Sequence, residues 1–170
     1  MYALLLTMRL LHVLLGVFWA GALVFNALFL VPAMRDAGPE GAKVGAALMR
    51  RRFLDIMPIV ALLTLISGFW LYWRASSGFR PAFMRSGPGV MWGIGAVAAV
   101  IAFGIGVGIM RPAMLRAAAL AGTAAQLPPE GQEARMTEVL TLRLRAGKAG
   151  QIVALLLVIA TAAMAVGRYA

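Results

Sequence analysis

Four stretches of the chain are apolar almost without interruption: Leu10 to Val31, Phe53 to Trp73, Pro88 to Met110 and Ala149 to Gly167. Charged residues collect between them. Each run holds 19 residues or more, and about 20 residues of α-helix cross the hydrocarbon of a bilayer. A backbone in lipid must satisfy its amides within its own segment unless a barrel closes, and barrel strands alternate in hydropathy. These runs do not alternate. The pattern therefore predicts an all-α protein, a four-transmembrane-helix bundle that forms a single transmembrane domain over residues 1–170. The first run exceeds the apolar core of a cleaved leader and follows a single basic residue, Arg9, so it is read as a retained span.

The charged residues between the runs add a direction. Arg35, Lys43, Arg50, Arg51, Arg52, Arg111, Arg116, Arg135, Arg143, Arg145 and Lys148 lie in the first and third connections, whereas Arg9, Arg74, Arg80, Arg85 and Arg168 lie on the opposite side. The excess of positive charge predicts that connections one and three face the cytoplasm and that both termini lie outside, as for a protein of the bacterial inner membrane. The net charge of +10 flanks membrane spans and does not form a soluble basic patch, so the expected partner is anionic lipid headgroups, with no nucleic acid.

The two basic connections resemble one another. Pro32-Ala33-Met34 follows the first run and Pro112-Ala113-Met114 the third; Pro39-Glu40-Gly41 and Pro129-Glu130-Gly131 come next, each before a basic cluster. The recurrence predicts a tandem duplication of a helical hairpin, residues 1–87 and 88–170, related by an axis along the membrane normal. Proline suits a first helical turn, and an acid beside it complements the helix dipole. Pro39 and Pro129 are therefore expected to start long helices, about 39 to 75 and 129 to 168, so that helices 2 and 4 extend into the cytoplasm. On the second of these, Met136, Val139, Leu140 and Leu144 have the spacing to pack on residues 113 to 126 or on a partner.

Candidate chemistry is sparse. With no cysteine, disulfides and thiolate metal sites are excluded. His12, Gly16, Trp19, Leu23 and Asn26 recur every three or four residues and share one face of the first helix. His12 is read either as a cofactor ligand or as a hydrogen-bonding side chain toward a neighbouring helix. Asp55, after Arg51 and Arg52, reads as a structural ion pair on one helix face. Gly89, Gly93, Gly104 and Gly108 form two small-xxx-small pairs, a helix-packing face. Phe69, Trp70, Tyr72, Trp73, Phe79, Phe83 and Trp92 form an interfacial aromatic belt. No phosphate-binding loop, serine elbow, zinc-binding His-Glu-x-x-His or paired intramembrane carboxylate is present, so hydrolase and phosphoryl-transfer chemistry are not expected.

Met8-Arg9-Leu10-Leu11-His12-Val13 leading to Trp19-Ala20-Gly21, and Arg50-Arg51-Arg52-Phe53 through Ile56-Met57-Pro58 to Ser67-Gly68-Phe69-Trp70-Leu71, resemble the first two spans of the small membrane proteins related to the copper-resistance CopD domain and the HemJ-type protoporphyrinogen oxidase. The resemblance implies a redox-related role with haem b or a metal at His12, and places Trp19 and Asn26 on the cofactor side. Ser86 to Met110 holds no lysine where the HemJ-type relatives carry one, so their oxidase activity is not expected. With one histidine, a second axial ligand would be methionine, water or His12 of a second copy. The alternative expectation is a structural or accessory subunit, a homo-oligomer or a component of a larger membrane complex.

Overall fold

The computed structural model describes residues 2–124 and 126–170, and among them it is helical with no strand. The helices are α1 Tyr2–Phe25, α2 Val31–Asp36, α3 Pro39–Arg50, α4 Phe53–Ala75, the short α5 Pro81–Met84, α6 Gly87–Ile105, α7 Arg111–Ala124 and α8 Pro129–Val166. Four continuous helical stretches, Tyr2–Asp36, Phe53–Ala75, Gly87–Ala124 and Pro129–Tyr169, are long and apolar enough to cross a membrane. This is a multi-pass membrane protein built as a four-helix bundle.

Two of these stretches change pitch at one point. A five-residue π-turn, Asn26–Leu30, joins α1 to α2, and a second, Gly106–Met110, joins α6 to α7. Each ends two residues before the proline of a Pro-Ala-Met triplet. Proline has no N–H, and its ring crowds the carbonyl four residues back. The residue ahead of it instead bonds five residues back, Val31 N–H to the Asn26 carbonyl and Arg111 N–H to the Gly106 carbonyl. The wider turn carries the helix past the proline without ending it.

The return helices differ from one another. The continuous helix expected from 39 to 75 is broken: α3 stops at Arg50, Arg52 takes a left-handed conformation with φ 58°, and α4 starts at Phe53. Electrostatics favours the break. It sets Arg50 in the last turn of α3 and Asp55 in the first turn of α4, where each charge opposes the local end of the helix dipole. The second return helix is continuous, as expected. α8 has 38 residues, about 57 Å of helix against a hydrocarbon thickness of about 30 Å. It continues into a 3-10 turn, Gly167–Tyr169.

All four spanning helices contribute to the core. Trp19 and Leu23 of α1, Met57, Val60 and Ala61 of α4, Ala102 of α6, and Val153 and Leu157 of α8 form one buried cluster. Small residues let the backbones approach. A side chain at Gly95 of α6 would meet the Ala160 carbonyl of α8 at 3.1 Å, and Ala98, Ala102, Ala160 and Ala163 are buried along the same seam. The perimeter, including Leu14, Phe18, Ile59, Phe69, Val97 and Leu155, is exposed and apolar, as a surface facing lipid must be. Beyond the core on one side, α7 packs along the first half of α8, burying Ala113, Ala117, Val139 and Ala146. Of the four residues with the spacing to pack on this segment or on a partner, Val139 is buried, and Met136, Leu140 and Leu144 are exposed.

Candidate functional site

Two polar constellations lie within the spans. The first centres on His12, half-buried on α1. Its Nδ1–H donates to the Thr64 carbonyl of α4 at 2.9 Å. The local sequence of α4 makes this approach available. Gly68 has no side chain where the ring lies, and a Cβ there would sit 2.6 Å from His12 Cε1. A proton on Nδ1 leaves a lone pair on Nε2. No hydrogen bond to Nε2 forms among the described residues.

The remaining members of the expected cofactor face do not join His12. Trp19 is 4% exposed and belongs to the core cluster. Asn26 opens the first π-turn, where its carbonyl accepts the Val31 amide. Fourteen residues of helix place it about 21 Å from His12 along the axis.

The second constellation lies at the basic end of the bundle and was only half legible in the sequence. Arg111, the first residue of α7, donates from Nη2 to Asp55 Oδ1 at 2.8 Å and from Nε to the Leu54 carbonyl at 3.0 Å. The acceptor carbonyl is significant: Leu54 lies four residues before Pro58, which has no N–H to give it. The guanidinium fills the vacancy that the proline leaves. Arg52 sits farther from Asp55, at 3.7 Å. Arg51 is not among the partners of Asp55, because it lies in the break ahead of α4 and not one turn away on the same helix. The expected Arg51–Arg52–Asp55 cluster is thus an Asp55–Arg111 link between two helices, with Arg52 as a second, looser neighbour. A signal for it was present: a proline inside a span frees a carbonyl, and an arginine at the end of another span can reach it.

Between α4 and α6, an apolar crevice is lined by residues of α4 from Phe53 to Ala61 and by Ala102, Phe103, Gly106, Val107, Met110 and Arg111, together with Trp19 and Leu23 of α1. Its enclosed volume is about 30 Å³. At the opposite end, the Tyr72 hydroxyl donates to the Gly89 carbonyl at 2.9 Å. Five of the seven aromatic residues of the expected belt pack together there, Phe69 on Phe79, Tyr72 on Phe79 and Phe83, and Phe83 on Trp92.

The expected glycine face divides. Gly89 is pressed against the Phe83 carbonyl of the preceding turn, and Gly93 faces the Tyr72 hydroxyl at 3.7 Å. Gly104 and Gly108 have no atom within 4 Å of where a Cβ would stand, so they make no helix contact within the chain. The close helix approach falls on Gly95, which the small-xxx-small spacing did not select.

Haem b, implied by the resemblance at His12, was tested against this geometry. Ligand pockets run to roughly 300–1,000 Å³. Neither the α4–α6 crevice nor the open groove along Gly93, Ile94, Val97, Ala98, Ile101 and Leu156 includes His12. Neither opening therefore offers a haem pocket at His12. Among the described residues, no cluster of three histidine, aspartate or glutamate side chains is placed to hold a metal ion. No family model matches the chain, and neither curated proteins nor solved structures give a match.

Proposed function

We propose that this protein is a structural or accessory subunit of a larger membrane assembly, resident in a bacterial inner membrane with both termini outside and the α7–α8 hairpin in the cytoplasm. The observation that carries the reading is an apolar stripe where lipid does not explain it. Met136, Leu140 and Leu144 recur at helical spacing on α8 and are 43%, 54% and 54% exposed. They precede the apolar run that begins at Ala149, on the portion of the helix that outruns the hydrocarbon. Apolar side chains aligned outside the bilayer mark a contact with another protein. Gly104 and Gly108, open on the bundle surface, offer a second docking face inside it. The same reading treats the chain as a duplicated hairpin, supported by the two π-turns, which begin at Asn26 and Gly106 and precede the same triplet.

The test is purification from native membranes in mild detergent. Larger partners are expected to co-purify with the wild-type protein and to be lost on Leu140→Glu or Leu144→Glu with helix content unchanged. A monodisperse, partner-free wild-type protein rejects the reading.

A second reading, membership of the CopD/HemJ-like group with haem b or a metal ion at His12, has its own support. A ligating imidazole characteristically donates its other N–H to a carbonyl or carboxylate, as His12 Nδ1–H does to Thr64. Because neither the crevice nor the groove reaches His12, such a group would be held between copies. An absorption band in the visible region, lost on His12→Ala, supports this reading; a colourless, metal-free preparation from native membranes eliminates it.

A further inference from the structure

We propose that the partner docking on the exposed stripe of α8 is an amphipathic helix of a second membrane protein, acidic at the end that meets the bilayer. The inference rests on the docking reading above and names the chemistry of what docks. Met136, Leu140 and Leu144 recur every four residues, and Arg143, Gly147 and Lys148 continue the same face toward the apolar run, three, seven and eight residues on from Leu140. Gly147 makes room for a third cation. A Cβ there would stand 2.8 Å from Nη2 of Arg35, so a guanidinium from α2 lies against α8 where that helix carries no side chain. Arg35, Arg143 and Lys148 are all exposed, and none of the three forms an ion pair among the described residues. Neither Asp36 beside Arg35 nor Glu130 and Glu133 of α8 pairs with them. Glu133 stands at the other end of the stripe, seven residues before Leu140. The face is therefore apolar along its length, basic toward the bilayer and acidic at its far end.

Geometry and charge argue against two other occupants. α8 is one unbroken helix from Pro129 to Val166, so the stripe stands in line with the apolar run and does not lie flat on a bilayer as an interfacial helix does. Met136 precedes Ala149 by 13 residues, about 20 Å along the axis, which clears a headgroup layer of about 5–8 Å. A second copy is disfavoured by its own charges. Copies inserted in the same direction pair about an axis along the membrane normal, which sets the stripe against itself at the same height. Arg143 and Lys148 would then face their own counterparts, and like charges brought together at an interface cost affinity. A helix with apolar side chains at matching spacing, and carboxylates opposite Arg35, Arg143 and Lys148, satisfies both the stripe and its charges.

Photo-cross-linking of the full chain in its native membrane tests this, with p-benzoyl-phenylalanine in place of Thr137, which is exposed one residue past Met136 and leaves the stripe intact. Mass spectrometry of the cross-linked peptides then identifies the segment that docks. The expected product is a helical segment of a second protein with Asp or Glu at its membrane end. Arg143→Glu combined with Lys148→Glu should lower the yield about tenfold, as two exposed pairs turned repulsive permit. Arg145→Glu makes a similar change of charge at an exposed position on another face of α8 and should leave the yield unchanged. With no further substitution, about 1 M salt over open membrane fragments should also lower the yield. A cross-linked segment without acidic residues overturns the inference and leaves the docking reading standing, as does a cross-link to a second copy of this chain. An unchanged yield in the double variant or in high salt, or an equal loss in Arg145→Glu, also overturns it. Cross-links to lipid alone, or none to any protein, overturn both.

Discussion

The two hairpins of this protein share their local devices and differ in their return helices. In each, a π-turn carries the outgoing helix past a proline, and a ring on that helix lies over a glycine of the return stretch, His12 over Gly68 and Trp92 over Gly167. In each, Pro-Glu-Gly starts the way back. Yet the first return breaks at Arg51 and Arg52, and the second runs unbroken from Pro129 to Val166. The difference follows from what stands beside each return. α7 offers 14 residues for α8 to pack on, whereas α2 offers 6. Helices in proteins take most of their stability from the packing of one face. Without a partner of matching length, α3 folds back on α2 and the chain turns before re-entering the bundle.

The equivalent glycines of the two Pro-Glu-Gly triplets turn this contrast into its largest expected effect. A Cβ at Gly41 would run into the Met34 carbonyl of α2, a backbone atom that cannot step aside alone. Gly41→Ala should therefore force α2 and α3 apart, at about 3 kcal/mol, the upper end of the cost of over-packing. The readout is a lower thermal midpoint with new protease cleavage between residues 37 and 52. Wild-type stability in this variant would mean that the α2–α3 fold-back is not what shapes the first connection.

The ring-on-glycine contact comes next. Gly68→Ala displaces the His12 ring and its bond to Thr64, and should cost about 1–3 kcal/mol. His12→Asn, which can still donate to the carbonyl from a smaller side chain, should lose less than His12→Ala. Equal losses in the two His12 variants would show that ring packing alone, and not the hydrogen bond, joins α1 to α4.

At Gly131 the sign reverses. A Cβ there meets Leu127 Cβ at 3.4 Å, an ordinary contact, and the residue lies within the first turn of a helix with a full-length partner. Gly131→Ala should stabilise by about 0.5–1 kcal/mol by restricting the unfolded chain, seen as a raised thermal midpoint. A loss at both triplets would remove the distinction between the hairpins.

The sequence made the four spans legible because lipid imposes a length and a composition that no soluble context requires. His12 was placed on an inward face by periodicity, but its partner, a carbonyl on α4, carries no side-chain signature. The break at Arg52 was hidden for a related reason. A left-handed arginine is invisible in composition, and three successive arginines read equally well as a continuous headgroup-facing turn. Arg50 followed by Asp55, basic then acidic, is the trace that the break left. Arg111 was counted for its charge and missed for its geometry, since reaching Leu54 requires two helices adjacent only in the fold. The small-xxx-small spacing selected Gly104 and Gly108, which face outward, because spacing identifies a face without saying what covers it.

The smallest expected effect concerns what holds the α7–α8 hairpin together. Arg116 of α7 donates to Glu138 of α8 at 2.7 Å, with side chains 68% and 42% exposed. The first connection has an ion pair of similar length, Lys43 with Glu40 at 2.6 Å, but it lies within one helix and ties no two elements together. Exposed pairs contribute about 0.2–1 kcal/mol. A double-mutant cycle on Arg116→Ala and Glu138→Ala should return a coupling in that range and diminish in high salt. Val139, fully buried beside Glu138 in sequence, should dominate instead, with Val139→Ala exceeding the whole ion-pair coupling. If the coupling were the larger of the two, the continuity of α8 would rest on charge, and the packing explanation for the difference between the hairpins would fail.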